Sequence, residues 1–194
     1  QVTIAQFTAP NQVFHPQLTQ SAYDSDIAGL IFEPVLQFTE DLAFEPNLAE
    51  YEISEDQLSV TFRFKEGLVW SDGTPLTSAD YAFTYLNQMH PEWPGPVQSI
   101  VASLRGGQEL LNKYNELRNR IEPENPEDRQ EGVDYITDEE FVEQALPLYE
   151  EWLATNPIET PDELTAIVHF DDVYAPALQT FGGALIPKHI YEGI

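Results

Sequence analysis

Hydrophobic and polar residues alternate most cleanly between positions 58 and 65, where Leu58, Val60, Phe62 and Phe64 fall on one side and Ser59, Thr61, Arg63 and Lys65 on the other. A period of two sends successive side chains to opposite faces of a strand, so this stretch has one face toward a core and one toward water. The run before it, 44–53, is also strand-like, and the polar residues Ser54 to Gln57 between them predict a hairpin. Asp72-Gly73 then supplies a turn and Pro75 stiffens the next few residues, while Thr77 with Asp80 three residues later forms a capping-box pattern for a helix over Ser78 to Met89. Helical spacing puts Ala79, Ala82, Phe83 and Leu86 on that helix's core face.

Elsewhere the pattern is coarser. Val2, Ile4 and Phe7 sit near period two and predict a short strand, followed by a long aromatic-bearing loop up to Asp26. Ile27, Leu30, Ile31 and Val35 have helical spacing, with Pro34 expected to end that helix. After the proline-rich "HPEWPGP", helical character resumes at 97–121 with a break at Gly106-Gly107. An acidic, proline-bearing excursion comes next, then an amphipathic helix capped by Thr137, with Phe141, Ala145, Leu148 and Trp152 inward and Pro147 as a kink. "DELTAIVHFDD" reads as a strand, "YAPALQTFGG" as a short apolar helix or turn, and "ALIPKHIYEGI" as the start of a further element. Helices and strands thus mix in an α/β chain without an internal repeat.

Charge narrows the function classes. The 194 residues hold 8 Lys and Arg against 34 Asp and Glu, a formal net charge of −26. Such a field repels phosphate backbones and anionic membrane surfaces, and the basic residues form no dense cluster, so a nucleic-acid partner is not expected. The acidity reads as a solvated surface suited to a salty or alkaline exterior. Without cysteine, disulfides, thiolate metal sites and cysteine nucleophiles are absent. No apolar run approaches bilayer length, and Gln1 opens the chain without a basic and then apolar leader, which suggests a processed or trimmed product.

Candidate chemistry is sparse. Asp24, Asp26 and Gly29 imitate the start of a calcium loop, but Ala28 and Val35 occupy positions where ligands belong. Neither His169 nor His189 has a second histidine at zinc-ligand spacing, and no G-x-S-x-G or phosphate-cradling glycine loop occurs. Carboxylates are too abundant for spacing to single out a glycosidase pair. No catalytic residue, metal site or cofactor is expected.

Three segments share a resemblance. "SAYDSDIAGLIFEPVLQFTED", "PNLAEYEISEDQLSVTFRFKEGLVWSDGTPLTSADYAFTY" and "DDVYAPALQTFGGALIPKHIYEG" resemble, in this order, blocks of the bacterial extracellular solute-binding proteins of the oligopeptide- and dipeptide-binding family, which serve ABC importers. The resemblance implies a periplasmic-binding-protein-like class II lobe with an inserted α/β subdomain: residues 1–44 and 184–194 in the first lobe, 45–183 in the insertion. The chain is well under half of a typical member and lacks the second lobe, so an excised or proteolysed fragment is expected. The implied function is non-covalent binding of oligopeptides in a cleft that closes by hinge motion, then docking on a membrane permease. The whole receptor would be a monomer, secreted, periplasmic or lipid-anchored. Relatives place ligand contacts in the loop before the first helix, which here carries Ser21, Ala22, Tyr23 and Asp24, and Trp93 is nominated from the inserted part. Trp70, Asp72-Gly73 and Thr77 have an architectural role on this reading. Nickel or sugar receptors of the same family, and an acidic secreted hydrolase fragment, are the alternatives.

Overall fold

The computed structural model describes residues 11–41, 43–95 and 101–193, and the strand expected around Val2, Ile4 and Phe7 lies outside them. The hairpin expected from alternation is present. Its strands, β3 (Ala49–Ile53) and β4 (Ser59–Phe64), pair antiparallel with Tyr51 opposite Phe62. The turn is closed by the Asp56 carboxylate, which accepts the Leu58 N–H at 3.0 Å, with Gln57 in the left-handed region at φ 59°. The far partner of β4 is β6 (Thr165–His169), distant in sequence, with Val60 opposite Val168 and Phe62 opposite Ala166. β5 (Ile158–Asp162), which the hydrophobic pattern does not announce, closes the antiparallel order β3-β4-β6-β5. Its sequence, "IETPD", has too little apolar content to read as a strand, and pairing with β6 defines it.

One sheet face carries Val60, Phe62, Phe64, Ala166 and Val168 into the core. Helix α2 (Ser78–Leu86) covers it, with the Tyr81 ring 5.2 Å from Phe62 and 5.6 Å from Phe64. Here the structure corrects the expected helix face: Ala79 is exposed and Ala82, Phe83 and Leu86 are half-buried, while Tyr81 and Tyr85 lead the buried face together with Ser78, Thr84 and Gln88. Polar residues can occupy that face because they find backbone partners. Ser78 Oγ donates to the Asp162 carbonyl (2.6 Å), Tyr81 to Phe181 (2.9 Å), Thr84 to Asp80 (2.8 Å) and Gln88 to Thr84 (3.0 Å).

Helices α3 (Gly107–Arg118) and α4 (Asp138–Leu153) pack against each other beyond the end of α2. Phe141, Ala145 and Trp152 of α4 are buried as expected, joined by Tyr149, whereas Leu148 is half-buried. Three aromatic donors fasten this pair to the backbone: Tyr114 to the Met89 carbonyl (3.0 Å), Tyr149 to Leu86 (3.2 Å) and Trp152 to Arg105 (2.8 Å). Leu86 ends α2 and Met89 ends the 3-10 turn that follows it (Asn87–Met89), so the two tyrosines tie α3 and α4 to the C-terminal end of α2.

The first helix is shorter than its hydrophobic spacing suggests. α1 (Ala22–Ala28) stops before Gly29, and Leu30 and Ile31 are exposed. Beyond it the chain extends to pair with the return segment: the Val35 N–H donates to Gly183 (3.1 Å) and that of Leu36 to Gly182 (2.9 Å). β1 (Leu36–Phe38) continues from there and pairs with β2 (Phe44–Pro46). Gly182 ends α5 (Ala177–Phe181) so tightly that a Cβ there would collide with the Leu178 carbonyl oxygen and the Leu36 side chain. The last described helix is α6 (Lys188–Tyr191).

Candidate functional site

The loop before α1 is held at three points. At its start, Asp24 on the first turn of α1 is 1% exposed and accepts the N–H groups of both Asn11 and Gln12, each at 3.1 Å, with Gln12 in the left-handed region at φ 68°. A buried carboxylate needs such donors, and two backbone N–H groups fold the chain back over the helix start. In the middle, Gln17 Nε2 donates to the Ala184 carbonyl at 2.9 Å. Around these, His15 sets its ring edge-on to Tyr191 at 4.9 Å and to Trp93 at 6.0 Å. Burial lowers the His15 pKa, which favours a neutral imidazole, and its Nδ1 accepts the Gln17 N–H at 3.3 Å.

Three distant parts of the sequence therefore converge: the loop 11–21, Trp93, and α6 with the strand-like segment before it. Trp93 meets the pre-helix loop through His15 and Leu18, the latter lying close to Gly95 together with the Trp93 indole. Ser21 is the N-terminal cap residue of α1, its side chain making no cap bond. Ala22 is exposed, and Tyr23 and Ser21 are half-buried. His15, Gln17 and Tyr191 were not singled out by sequence reasoning, because nothing local marks a residue that gains its role from a neighbour so far along the chain.

Two polar atoms of this cluster, Trp93 Nε1 and Gln17 Oε1, are buried without a hydrogen-bond partner. One is a donor and the other an acceptor, and such groups ordinarily find partners. Among the described residues no group of three or more His, Cys, Asp or Glu could hold a metal ion, and the Asp24 carboxylate that opens the calcium-like pattern is turned onto backbone. Of two other histidines, His189 Nε2 is hydrogen-bonded to Asp72 at 2.8 Å, whereas His169 Nε2, 3.2 Å from Glu159, is buried without a hydrogen-bond partner.

Comparison with known proteins gives this arrangement a context. The chain is 26% identical over 188 residues to the periplasmic oligopeptide-binding protein OppA of Haemophilus influenzae, covering 95% of this chain and 31% of that protein. It is 28% identical over 90 residues to OppA of Escherichia coli, covering 46% of this chain and 17% of that protein. The fold matches the crystal structure of Haemophilus influenzae OppA in complex with RPPGFSPFR at a TM-score of 0.65 and 19% identity, over 95% of this chain and 30% of that one. Listeria monocytogenes OppA bound to peptide matches at 0.63 and 16%, over 92% and 29%. The chain thus spans under a third of the length of the H. influenzae protein. A profile described as bacterial extracellular solute-binding proteins, family 5 Middle, matches residues 43–190, which is most of the sequence, and the chain belongs to that family.

Proposed function

We propose that these residues are part of the substrate-binding component of an ABC importer, which holds oligopeptides in a cleft between two lobes and delivers them to a membrane permease. The observation that carries this reading is the convergence of the pinned loop 11–21 with Trp93 and Tyr191, which gathers aromatic rings around one loop. Aromatic walls suit peptide side chains of varied identity, while strand-like backbone hydrogen bonds hold a peptide without sequence-specific groups. Ser21, Ala22, Tyr23 and Trp93 are the contacts proposed for the ligand. Asp24 serves the same site by holding the loop, since its carboxylate is engaged by Asn11 and Gln12.

On this reading residues 1–44 and 184–194 belong to the first lobe and 45–183 to a subdomain inserted in it. The bridge between Pro34 and Ala184 supports such a return of the chain. Binding is non-covalent and no catalytic step is involved. The receptor works as a monomer outside the cytoplasmic membrane, free or lipid-anchored; among the described residues no helix is long and apolar enough to cross a membrane.

The test is mass spectrometry of ligand released from the gently purified native-length receptor, followed by calorimetric titration with peptides. Mixed peptides should be released, and Trp93→Ala and Tyr23→Ala should each weaken peptide binding by roughly tenfold, as loss of an aromatic anchor does. Release of a sugar or of nickel, with no affinity for any peptide, would refute the peptide reading.

A further inference from the structure

One short pattern occurs twice in the chain, His-Pro-Gln-Leu at 15–18 and His-Pro-Glu-Trp at 90–93. The two copies fold alike. In each, the histidine Nδ1 accepts the N–H two residues on, from Gln17 and from Glu92, both at 3.3 Å. In each, the histidine carbonyl accepts the N–H three residues on, from Leu18 at 3.1 Å and from Trp93 at 3.0 Å. The proline presets φ for a turn, and the imidazole takes the place that an Asn or Asp side chain fills in other turns. The two turns also meet. The His15 ring stands 6.0 Å from that of Trp93, and Leu18 and the Trp93 indole both close on Gly95, where a Cβ would collide with them.

Hydrogen bonding restricts both rings to one state. A backbone N–H can only donate, so each Nδ1 must be without a proton, and a neutral imidazole protonated on Nε2 meets that demand. An imidazolium carries hydrogen on both nitrogens and would set a donor against a donor. The surroundings of His15 oppose the charge as well, since burial alone lowers its pKa from 6.5. Its ring neighbours are Trp93 and, from α6, Tyr191. Charged groups on the elements around it are engaged elsewhere: Asp24 of α1 with the Asn11 and Gln12 N–H groups, Lys188 of α6 with Glu192 at 3.4 Å, and His189 with Asp72 at 2.8 Å. His90 faces the Tyr149 ring of α4 at 5.1 Å, and the Glu92 carboxylate stands 3.9 Å from its Nδ1, beyond hydrogen-bond reach.

We propose that His15 and His90 are positioning residues that hold the loop 11–21 against Trp93 only while both rings are neutral, so that acid loosens the loop and weakens ligand binding. The proposal rests on the reading of this loop and Trp93 as the peptide site. His15 governs the loop directly, because its turn aims Gln17 at the Ala184 carbonyl (2.9 Å) and leads on to Ser21, Ala22 and Tyr23. His90 acts from the other side by shaping the turn that carries Trp93. A proton binds more readily to a histidine in a loosened loop than to one whose Nδ1 is occupied. For His15 the contact is therefore complete above the ordinary value of 6.5, and it is lost as pH falls below that toward the lowered value of the closed loop.

The test compares the native-length receptor with His15→Asn, His90→Asn and the double variant, since an Asn carbonyl accepts the same N–H but does not titrate. Hydrogen–deuterium exchange without ligand is corrected for the intrinsic rate at each pH. In the wild type, the loop 11–21 and the turn 90–93 should exchange about fivefold faster at about pH 5 than at about pH 7, the scale of one lost hydrogen bond. The double variant should show no such change, and His15→Ala, which has no acceptor, should exchange fast in the loop at both pH values. Calorimetry with a peptide released from the receptor should follow the same pattern: affinity falls about fivefold in acid for the wild type and stays level in the double variant. Nitrogen NMR of the imidazoles reads their state directly and should find Nδ1 without a proton at about pH 7. A proton on Nδ1 of either ring at that pH would overturn the proposal. So would exchange that is equal at the two pH values in the wild type, or a double variant that keeps the wild-type response to acid. Exchange and NMR are read without ligand, so a failure here is distinct from a failure of the peptide reading, which would leave both readouts unmoved.

Discussion

Replacing Asp80 with alanine should unfasten two parts of the fold at once. Its carboxylate is 5% exposed and divides its oxygens: Oδ2 accepts the Thr77 N–H at the start of α2 (2.8 Å), and Oδ1 accepts the Lys188 N–H at the start of α6 (2.9 Å). Loss of the first bond removes the reciprocal half of a helix cap, worth about 1 kcal/mol. Loss of the second strands a part-buried N–H, which costs about 1–3 kcal/mol more. The sum is about 2–4 kcal/mol, and for a domain of this size it lowers the melting temperature by roughly 5–15 °C. Asp80→Asn keeps one acceptor oxygen and should fall between. Urea unfolding followed by circular dichroism measures the change, with the midpoint moving and the slope against denaturant held constant. A loss below about 0.5 kcal/mol, the range of ordinary surface substitutions, would mean that this carboxylate does not join the two helix starts.

Two further outcomes are expected. The Thr74 N–H, and after it His189, hold the Asp72 carboxyl down at about 2. A folded-state pKa below the ordinary 3.8 means that the contribution of this contact is complete above that value and is lost as pH falls through about 2. Carbon-detected NMR titration should give that low midpoint and an upward move in His189→Ala; an unmoved midpoint would remove His189 as a cause. With a net charge of −26, and with carboxylates as close in sequence as Glu139, Glu140 and Glu143 on α4, added salt should stabilise the fold by screening. Thermal melts from low salt to about 1 M NaCl, where the Debye length falls to about 3 Å, should show a rising midpoint. A flat or falling midpoint would show that the acidic surface exerts no net strain on the native state.

Whatever is written within a few residues was legible in the chain alone. Alternation at 58–65 specified which side of β4 is wet, because a strand's side chains must point to opposite faces whatever lies beyond them. Thr77 with Asp80, and Thr137, marked the two helix starts, since a cap is a hydrogen bond between neighbours in the chain. Family membership was legible for the same reason: its blocks are short, local and in fixed order. Features that depend on a distant partner were settled by tertiary packing. The polar face of α2 is inward because Asp162 and Phe181 bring carbonyls to Ser78 and Tyr81, and without those acceptors Ala82 and Leu86 would make the better core. β5 exists because β6 offers it a ladder. Asp80's second oxygen and the meeting of His15 with Trp93 and Tyr191 both join segments separated by many tens of residues. No local preference encodes such pairings, for they are selected only when the whole chain settles which apolar surfaces it can bury together and which backbone groups are left needing a partner.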